Sequence, residues 1–502
     1  MSLNDALIAR QYRERLLADP WRPRYHFSVP DGDGTPGDPN GCFYADGQHH
    51  LMYLYAHPQR GFCWGHAVSH DLLHWRHLPD ALEKSGHDEG CFSGGAFVDE
   101  DSTAYLSFWV YNREDQPLKS DSYAGIMLAQ SRPPYVRWER LTPAAIPSDQ
   151  WGIAFRDGQP LGCADPSNIW KRDGRYYMQT GNLLVLDRFG RGEDAPAHLR
   201  GDWTELFSSD DLRHWRWEGR FYDHNACPEP PDDTEDDMCP SFLPLPAAKE
   251  GGASTDEHLQ LFIAHNRGCQ YYIGKLDGLR FHPRLHGRMT WADDAYFAAE
   301  AYLDGQGRQI VFAWLRDNLP DDFRRFGWSG VMGLPRVVWR REDGDLGIAP
   351  APEIDALAYN DHVFAHDDLA KLSALPVAQP RCCRVQWQAC QADKPTGLRI
   401  LQGQRHVDIL CDPARGELIL DATHSGSEIR AIREYAPLSL APSELSNVTV
   451  YLDAAVIEVF ASDRQAITRR VYMPLEGAVF QPIGAEYIQW VKVSAMAAAQ
   501  SY

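Results

Sequence analysis

From about residue 23 to its end, the chain consists of short apolar and aromatic runs separated by Asp-Gly, Gly and Pro. Runs of roughly four to eight residues bounded by such turn residues are typical of β-strands. Few segments longer than about a dozen residues keep the apolar spacing that a helix requires. Examples of the runs are 95–98, 104–108, 176–179 and 260–264. The sequence therefore predicts an all-β chain.

A weak internal repeat indicates how the strands are grouped. The segment SHDLLHW at 69–75 recurs as SDDLRHW at 209–215, and SRPPYVRW at 131–138 is a degenerate copy between them. The copies are roughly 60 to 80 residues apart, which is the size of a four-stranded propeller blade with insertions. In each copy a polar turn precedes a tryptophan that can pack between sheets. The repeat therefore predicts a β-propeller.

The length of the chain, 502 residues, is more than one hydrophobic core supports, so several domains are expected. Residues 1–20 have the pattern of a short amphipathic helix, and we place the propeller at 21–345. Residues 346–375 have the texture of a linker or a short helix. From 376 to 502, strands again alternate with polar turns, which is the pattern of a β-sandwich.

The charge and the cysteine pattern exclude several classes of partner. The formal net charge of −21 argues against nucleic acid and anionic membranes, whereas a neutral substrate is compatible with it. The eleven cysteines include no CxxC pair and no Cys/His spacing of a zinc site. The neighbouring His66, His70, His74 and His77 are interpreted as structural. Neither a metal nor a cofactor is expected.

The N-terminal segment predicts the compartment. Residues 1–20 carry charges throughout and lack the apolar core of a signal peptide. No run of about eighteen apolar residues occurs anywhere, so no membrane span is expected. An odd number of scattered cysteines suggests free thiols in a reducing compartment, and a cytoplasmic protein is the prediction. The sequence leaves the oligomeric state open.

The stretch TPGDPNG at 35–41 is predicted to be a turn that holds one carboxylate, Asp38, in a fixed position. Pro39 restricts Asp38 to extended geometry, and the two residues after it supply turn chemistry. An alternating strand follows, and 50–55 is its predicted hairpin partner. A carboxylate at the inner mouth of a sheet is well placed to meet a sugar. The alternative is that Asp38 only caps a turn.

Six motifs resemble those of one known family in the order in which they occur. They are DPNG at 38–41, WGHAVS with the following DL and HW at 64–75, FSGG at 92–95, ADP at 164–166, LPR at 334–336 and IEVF at 457–460. The chain resembles glycoside hydrolase family 32, the family of invertases, inulinases and levanases, over almost its whole length. The resemblance implies a five-bladed β-propeller followed by a β-sandwich. It also implies a small carbohydrate as the substrate.

The same resemblance implies a retaining mechanism with three carboxylates. By motif match, Asp38 is the nucleophile that attacks the anomeric carbon. Asp165 is the carboxylate that steadies the transition state through sugar hydroxyls. The third carboxylate protonates the leaving oxygen, and in retaining enzymes it stands about 5 Å from the nucleophile.

The proton donor is the point at which the chain departs from the family. The family places a glutamate directly before Cys-Pro, where this chain has Met238. An acidic run precedes it, and crowding of like charges raises the pKa of a carboxyl group, as a general acid needs. Glu235 is the first choice for this role, and Asp236 and Asp237 are its rivals. The alternative is that the run is a solvated loop and that the acid is lost or comes from elsewhere.

The expected sugar pocket departs from the family as well. At four positions where the family has a polar residue, this chain has Gly37, Leu54, Ala56 and Ala164. Ala164 stands in place of the arginine of the family's Arg-Asp-Pro motif. Each lost hydrogen bond to a buried sugar costs roughly 1 to 3 kcal/mol if nothing replaces it. Arg156, Arg267 and Gln270 are candidate substitutes, although each of them is equally explained as a loop residue. The other candidates for substrate binding are Asn40, Trp64, Phe92, Ser93, Asp294 and Tyr296.

The sequence thus predicts a retaining glycoside hydrolase of β-fructofuranosides such as sucrose, fructo-oligosaccharides or fructans. The replaced polar positions and Met238 favour an alternative, which is a fructosyltransferase or a hydrolase of an unusual fructosyl linkage such as that of difructose anhydride. A third interpretation is a carbohydrate-binding protein with an impaired catalytic site. Met238 supports this interpretation, and the presence of both Asp38 and Asp165 opposes it.

Overall fold

The computed structural model describes residues 18–29, 35–57, 59–85, 88–111, 124–149, 151–316, 329–375, 382–427 and 430–499, with positions 7, 10, 11 and 14. Positions 7, 10, 11, 14 and 18 are helical, and the rest of the predicted helix within 1–20 is irregular or lies outside the described residues. Everything after it is dominated by strands, which confirms the prediction of an all-β chain.

The first half of the chain forms antiparallel sheets of strands that follow one another in sequence. Strand β1 (Ser28–Val29) precedes the first blade, which consists of β2 (Thr35–Ala45), β3 (Gln48–His57), β4 (Gly61–Ser69) and β5 (Arg76–Leu82). The second blade consists of β6 (Ala96–Val98), β7 (Ala104–Val110), β8 (Gly125–Ser131) and β9 (Glu139–Pro147). A separate hairpin follows, formed by β10 (Ile153–Arg156) and β11 (Gln159–Gly162).

Three further blades complete the propeller. The third consists of β12 (Ala164–Pro166), β13 (Trp170–Arg172), β14 (Arg175–Gly181), β15 (Thr204–Ser209) and β16 (Trp215–Tyr222). The fourth consists of β17 (Met238–Pro246), β18 (Ser254–Ala264), β19 (Gly268–Asp277) and β20 (Arg280–Arg288). The fifth consists of β21 (Tyr296–Leu303), β22 (Gln309–Leu315), β24 (Arg336–Arg340) and β25 (Leu346–Pro350), while β23 (Ser329–Val331) pairs with β1.

Two packed sheets form the C-terminal β-sandwich. The six-stranded sheet has the order β26 (Ala358–Ala365), β36 (Ile488–Met496), β27 (Cys382–Ala389), β32 (Asn447–Asp453), β33 (Val456–Ala461) and β34 (Gln465–Arg470). The five-stranded sheet has the order β31 (Arg433–Pro437), β30 (Glu417–Asp421), β29 (Arg405–Asp412), β28 (Thr396–Gln402) and β35 (Val479–Ile483). Alternate residues of both sheets, among them Val385, Leu398 and Ile409, are fully buried between them. The protein is thus a five-bladed β-propeller followed by a β-sandwich, as predicted.

Helical segments in the described part of the chain are short. Between β14 and β15 lie the α-helical turn α1 (Leu183–Val185) and a π-helical turn at Leu186–Gly190. The 3₁₀ turns are Ala197–Leu199, His224–Ala226, Pro352–Leu357, His366–Ala374 and Ala485–Tyr487.

The internal repeat corresponds to one turn that recurs between the third and fourth main strands of a blade. Asp71 and Asp211 each accept a hydrogen bond from the backbone N–H three residues later, at 2.9 and 2.8 Å. Trp75 and Trp215 each donate the indole N–H to the carbonyl oxygen three residues earlier, at 3.2 Å. The degenerate copy lies at the corresponding place between β8 and β9. The prediction that the repeat marks the blades is confirmed.

The predicted turn at 35–41 is instead the first part of strand β2. Its pairing with β3 shifts register between Pro36 and Pro39 and again after Asn40. Proline has no N–H to donate to the ladder, so two prolines three residues apart interrupt the pairing and produce bulges. Asp38 therefore lies on an irregular strand and is not at the tip of a turn.

The predicted linker at 346–375 also differs from what is found. Its first residues form β25, which pairs with β24 and belongs to the fifth blade. Residues further on form β26, which is part of the sandwich. The predicted propeller boundary at residue 345 falls in a hairpin turn inside the blade, Asp-Gly-Asp at 343–345. Only the stretch around the 3₁₀ turn Pro352–Leu357 connects the two parts.

Candidate active site

The first strands of four blades carry a residue with left-handed backbone. These residues are Gly41 (φ +53°) in β2, Asp165 (φ +39°) in β12, Cys239 (φ +48°) in β17 and Ala298 (φ +49°) in β21. The strand register shifts at each of these places. Bulges re-aim side chains, and a non-glycine residue in this conformation costs on the order of 1 kcal/mol or more. Such strain is typical of functional sites.

Polar side chains from four blades meet beside these bulges. The Ser93 hydroxyl donates a hydrogen bond to Asp38 Oδ2 at 2.6 Å. The Cys239 thiol lies 3.3 Å from Asp165 Oδ2 and 3.9 Å from Asp38 Oδ2. Asp38 is partly buried, and Asp165 is 6% exposed. Two aspartates that are far apart in the sequence therefore share one thiol as a neighbour.

The two carboxyl groups influence each other's ionisation. Burial, followed by the negative charge of Asp38, raises the pKa of Asp165 from 3.8 to about 7. Burial also raises the pKa of Asp38, but the Ser93 hydroxyl and the positive charges of His265 and Arg316 oppose this effect. Like charges at close range resist double ionisation. Asp38 is therefore the carboxylate of the pair that is more readily ionised near neutral pH.

This pair gives a prediction for stability. The folded protein holds the Asp165 proton up to about pH 7, whereas the unfolded chain releases it near pH 3.8, so this group makes stability fall as pH rises between these values. Asp165→Asn removes that penalty. We expect the free energy of unfolding of the variant to exceed that of the wild type by on the order of 2 kcal/mol at pH 8, and by less at pH 5.

Urea denaturation at the two pH values measures the difference. Asp157→Asn, at a site exposed to solvent, is the matched control and should change the free energy little at either pH. A difference between Asp165→Asn and the wild type that is equal at pH 5 and pH 8 contradicts the assignment.

Glu235, the first choice for the proton donor, is held in an ion pair. Both nitrogens at the end of the Arg288 side chain donate to its two oxygens, at 3.0 and 3.1 Å, and the Gln270 amide donates as well. Glu235 is 1% exposed. Gln270, predicted to bind substrate, is fully buried in this contact, while Arg267 is largely exposed with Nε 4.0 Å from Glu235.

Its two rivals are also buried and occupied. Asp236 accepts a hydrogen bond from the backbone N–H of His265 at 3.1 Å, and its other oxygen lies 2.8 Å from His265 Nδ1. Asp237 accepts from the Tyr222 hydroxyl at 2.6 Å and from the Gln260 amide at 3.1 Å. Burial raises the pKa of Asp237 well above its usual range. Residues 235–237 of the acidic run are therefore an interior network, whereas Asp232 and Asp233 at its start are exposed.

Of the predicted pocket walls, Phe92 is one that faces a cavity. It lines an apolar space of about 540 Å³. The other residues around this space are Trp109, Tyr111, Trp151, Ile153, Leu184 and Arg188. Phe92 directly precedes Ser93, the residue whose hydroxyl contacts Asp38. An aromatic wall in this position can receive the apolar face of a sugar or of another leaving group.

Three other residues predicted to contact substrate have almost no exposed surface. Trp64 and Tyr296 are fully buried, and Asn40 is 1% exposed. Trp64 donates its indole N–H to the Phe92 carbonyl at 3.2 Å, so it supports the wall from behind. We therefore assign these residues to the core around the site. Arg156, a candidate substitute for lost contacts, is exposed on the β10–β11 hairpin and packs on another surface residue.

The motifs do not mark Arg316, which is the arginine that the structure brings to Asp38. Its positive charge lowers the pKa of Asp38. Its Nη1 lies 2.7 Å from Asp294 Oδ2, and its guanidinium group stacks on the Phe297 ring at 4.5 Å. Asp294, predicted to bind substrate, also pairs with Arg430 of the sandwich at 2.5 Å. Arg316 is therefore a candidate replacement for the arginine that is missing at Ala164.

Removal of Arg316 gives a second prediction. Since its charge favours the ionised nucleophile, Arg316→Ala is expected to raise the pKa of Asp38 and to move the acid limb of the kcat/KM profile to higher pH. Loss of one charge-assisted hydrogen bond to substrate costs about 1.5 to 3 kcal/mol, or about ten- to a hundredfold in kcat/KM. Steady-state kinetics from pH 4 to pH 9 measure both effects. Arg132→Ala on an exposed turn is the control, and an unshifted acid limb in Arg316→Ala contradicts the assignment.

No group of three metal-binding side chains is found among the described residues. The neighbouring histidines make other contacts: His66 lies 2.9 Å from His50, and His74 lies 2.7 Å from Asp71. Burial lowers the pKa of His66 to about 3, so its ring is neutral. In the described part of the chain, no helix has the length and apolar character needed to cross a membrane.

Comparison with known proteins gives matches over nearly the whole chain. The family model "Glycosyl hydrolases family 32 N-terminal domain" matches residues 26–350, and "Glycosyl hydrolases family 32 C terminal" matches 360–494. The chain is 26% identical to raffinose invertase of Escherichia coli, with 93% of each chain covered.

Two solved structures have a similar fold. Sucrose-6-phosphate hydrolase of Lactobacillus gasseri superposes with a TM-score of 0.76 at 18% identity, covering 99% of this chain and 97% of that one. Fructan 1-exohydrolase IIa of Cichorium intybus superposes with a TM-score of 0.73 at 21% identity, covering 96% and 98%.

Proposed function

The chain belongs to glycosyl hydrolase family 32, and from this premise we propose that it hydrolyses β-fructofuranosides with retention, with Asp38 as the nucleophile. The names of the similar proteins support a fructoside as the substrate. The observation that carries the proposal is the meeting of Asp38 and Asp165 at the Cys239 thiol. A motif match alone does not bring two carboxylates from different blades together, and this contact does.

The mechanism that we propose has two displacements. The ionised Asp38 carboxylate attacks the anomeric carbon, and the bond to the leaving oxygen breaks through an oxocarbenium-like transition state. The leaving oxygen takes a proton from an acid on the protein. Water then attacks the fructosyl ester, which restores Asp38. Asp165 holds sugar hydroxyls, and the Ser93 hydroxyl keeps Asp38 oriented.

A second candidate is action on an unusual fructosyl linkage or transfer to an acceptor other than water. The apolar cavity that begins at Phe92 favours it, because its lining contains one charged residue, Arg188, among six apolar and aromatic ones. An ordinary sugar leaving group needs more polar partners than that. An acceptor with an apolar face fits such a wall better.

The two candidates are separated by product analysis. We expect the purified protein to release free fructose from sucrose, inulin or levan, and difructose anhydride is included for the second candidate. Products longer than the substrate without free fructose indicate transfer. Binding of these sugars that survives Asp38→Ala, with no turnover in the wild type, indicates a carbohydrate-binding protein and contradicts the proposal.

A further inference from the structure

One histidine stands at the carboxylate pair and has a buried aspartate behind it. His265 directly follows β18, and the pairing of Met238 with Ile263 places it opposite Asp236. Asp236 is fully buried and contacts both Nδ1 and the backbone N–H of His265. The His265 side chain is 44% exposed. Within the described residues, its Nε2 has no hydrogen-bond partner.

The ring lies within electrostatic range of the carboxylate pair. Its positive charge lowers the pKa of both Asp38 and Asp165. The edge of the ring meets Phe297 at 5.9 Å. The next aromatic ring, Trp314, lies 6.1 Å from Phe297 and packs beside the residue that precedes Asp38. One continuous wall therefore connects His265 with the nucleophile.

None of the three acidic candidates has a comparable position. Glu235, Asp236 and Asp237 are each at most 1% exposed, and each is bound to other side chains. Met238, at the position of the family's glutamate, has no proton to donate and is 2% exposed. A proton donor must be within hydrogen-bond reach of the leaving oxygen. His265 differs from these residues, because its side chain is 44% exposed and its Nε2 is available to a leaving oxygen.

We propose that His265, oriented by Asp236, is the general acid of this enzyme. The inference rests on the proposed function. As Asp38 forms its bond to the anomeric carbon, the electron pair of the breaking C–O bond takes the proton from Nε2, which leaves a neutral imidazole. In the second step the imidazole takes a proton from the attacking water. The ester bond to Asp38 then breaks, and both the imidazolium and the carboxylate are restored.

The charges around the ring suit this role. Burial alone lowers the pKa of His265, but the hydrogen bond to Asp236 and the negative charges of Asp236, Asp165 and Asp38 raise it above its ordinary value. Arg316 stacks on the Phe297 ring, which the imidazole also contacts. These surroundings therefore favour the protonated ring, which is the form that a general acid needs before it acts.

The test compares two substrates that differ in their need for an acid. One is whichever of sucrose, inulin and levan the wild type turns over fastest, and the other is 4-nitrophenyl β-D-fructofuranoside, whose leaving group departs without protonation. For His265→Ala we expect kcat/KM to fall about 10²- to 10⁴-fold with the sugar and less than about tenfold with the aryl fructoside. Added azide should restore kcat with the aryl substrate by forming fructosyl azide.

Three controls separate the possible outcomes. In Asp38→Asn, kcat/KM should fall equally with both substrates, since this variant lacks the nucleophile. Glu235→Gln should not show the selective loss, and if it does while His265→Ala does not, the assignment is overturned. An equal fall in kcat/KM with both substrates in His265→Ala also overturns the assignment of His265. If the alanine variant does not fold, His265→Gln is used for the same comparison. A wild type inactive on every substrate defeats the proposed function instead.

The pH profile supplies an independent readout. Asp236→Asn leaves the imidazole in place but removes the charge that raises its pKa. We expect the alkaline limb of kcat/KM for the sugar substrate to move to lower pH in this variant. The aryl fructoside should show no such limb. An alkaline limb that stays at the wild-type pH in Asp236→Asn overturns the proposal.

Discussion

Asp38→Asn is expected to lower kcat on fructosides by about four orders of magnitude or more, as removal of a catalytic nucleophile commonly does. The amide has nearly the shape of the carboxylate, and its oxygen can still accept the hydrogen bond from Ser93. It cannot form the ester with the anomeric carbon, because the amide is a poor nucleophile. Fructose release measured by chromatography gives the rate. Binding of the sugar by calorimetry should persist.

The control for this variant is Asp46→Asn, in the hairpin turn that follows the same strand. Asp46 has left-handed backbone, φ +50°, and asparagine tolerates that conformation. Its turnover should stay within about twofold of the wild type, because a surface substitution has little effect on the site. If Asp38→Asn keeps more than a tenth of the wild-type rate in material free of contaminating enzyme, Asp38 is not the nucleophile.

The propeller was predictable because its signals are local. The turn at Asp71 and Asp211 is made by one side chain that accepts bonds from its own neighbours, so the same seven-residue pattern produces it in two blades. Alternating strands are local in the same sense. The family was predictable from the order of its motifs, and the matches to its models confirm it.

The site was less predictable because its geometry depends on bulges and on partners from other blades. The pattern at 35–41 suggests a turn, and only the pairing with β3 shows it to be an interrupted strand. The acidic run suggests a proton donor at Glu235 or else a solvated loop, yet Glu235 is fixed by Arg288, which is more than fifty residues away. Arg316 has no motif around it. Its role follows from its contact with Asp294 and its closeness to Asp38.

Two of the sequence motifs, LPR at 334–336 and IEVF at 457–460, are in direct contact in the structure. Glu458 of the sandwich accepts a hydrogen bond from the backbone N–H of Leu334 at 2.6 Å and pairs with Arg336 at 3.3 Å. Thr468 donates to the same carboxylate at 2.6 Å, and His26 Nε2 lies 3.0 Å from it. The side chains of Glu458, Arg336 and His26 are completely buried. This network joins the N-terminal segment, the fifth blade and the sandwich.

Glu458→Gln is therefore expected to lower the free energy of unfolding by about 3 to 5 kcal/mol, because it leaves the buried charge of Arg336 uncompensated and removes one of the two carboxylates around His26. Chemical denaturation measures the loss. We also expect calorimetry to show separate transitions for the propeller and the sandwich, since the network connects them. Glu100→Gln makes the same chemical change on an exposed side chain and should alter stability by less than about 0.5 kcal/mol.

The pH dependence of the loss distinguishes a charge effect from a packing effect. Several contacts, of which that with His26 is the largest, outweigh burial and lower the pKa of Glu458 from 4.5 to about 2. The ionised Glu458 therefore contributes fully to stability above pH 4.5, and this contribution is lost as pH falls through 2. The two carboxylates around His26, Asp453 first, outweigh burial and raise its pKa from 6.5 to about 9. The protonated His26 therefore contributes fully to stability below pH 6.5, and this contribution is lost as pH rises through 9. The difference between wild type and Glu458→Gln should therefore be largest between pH 4.5 and 6.5. A difference that stays constant up to pH 10 means that the charge of His26 contributes nothing to the loss.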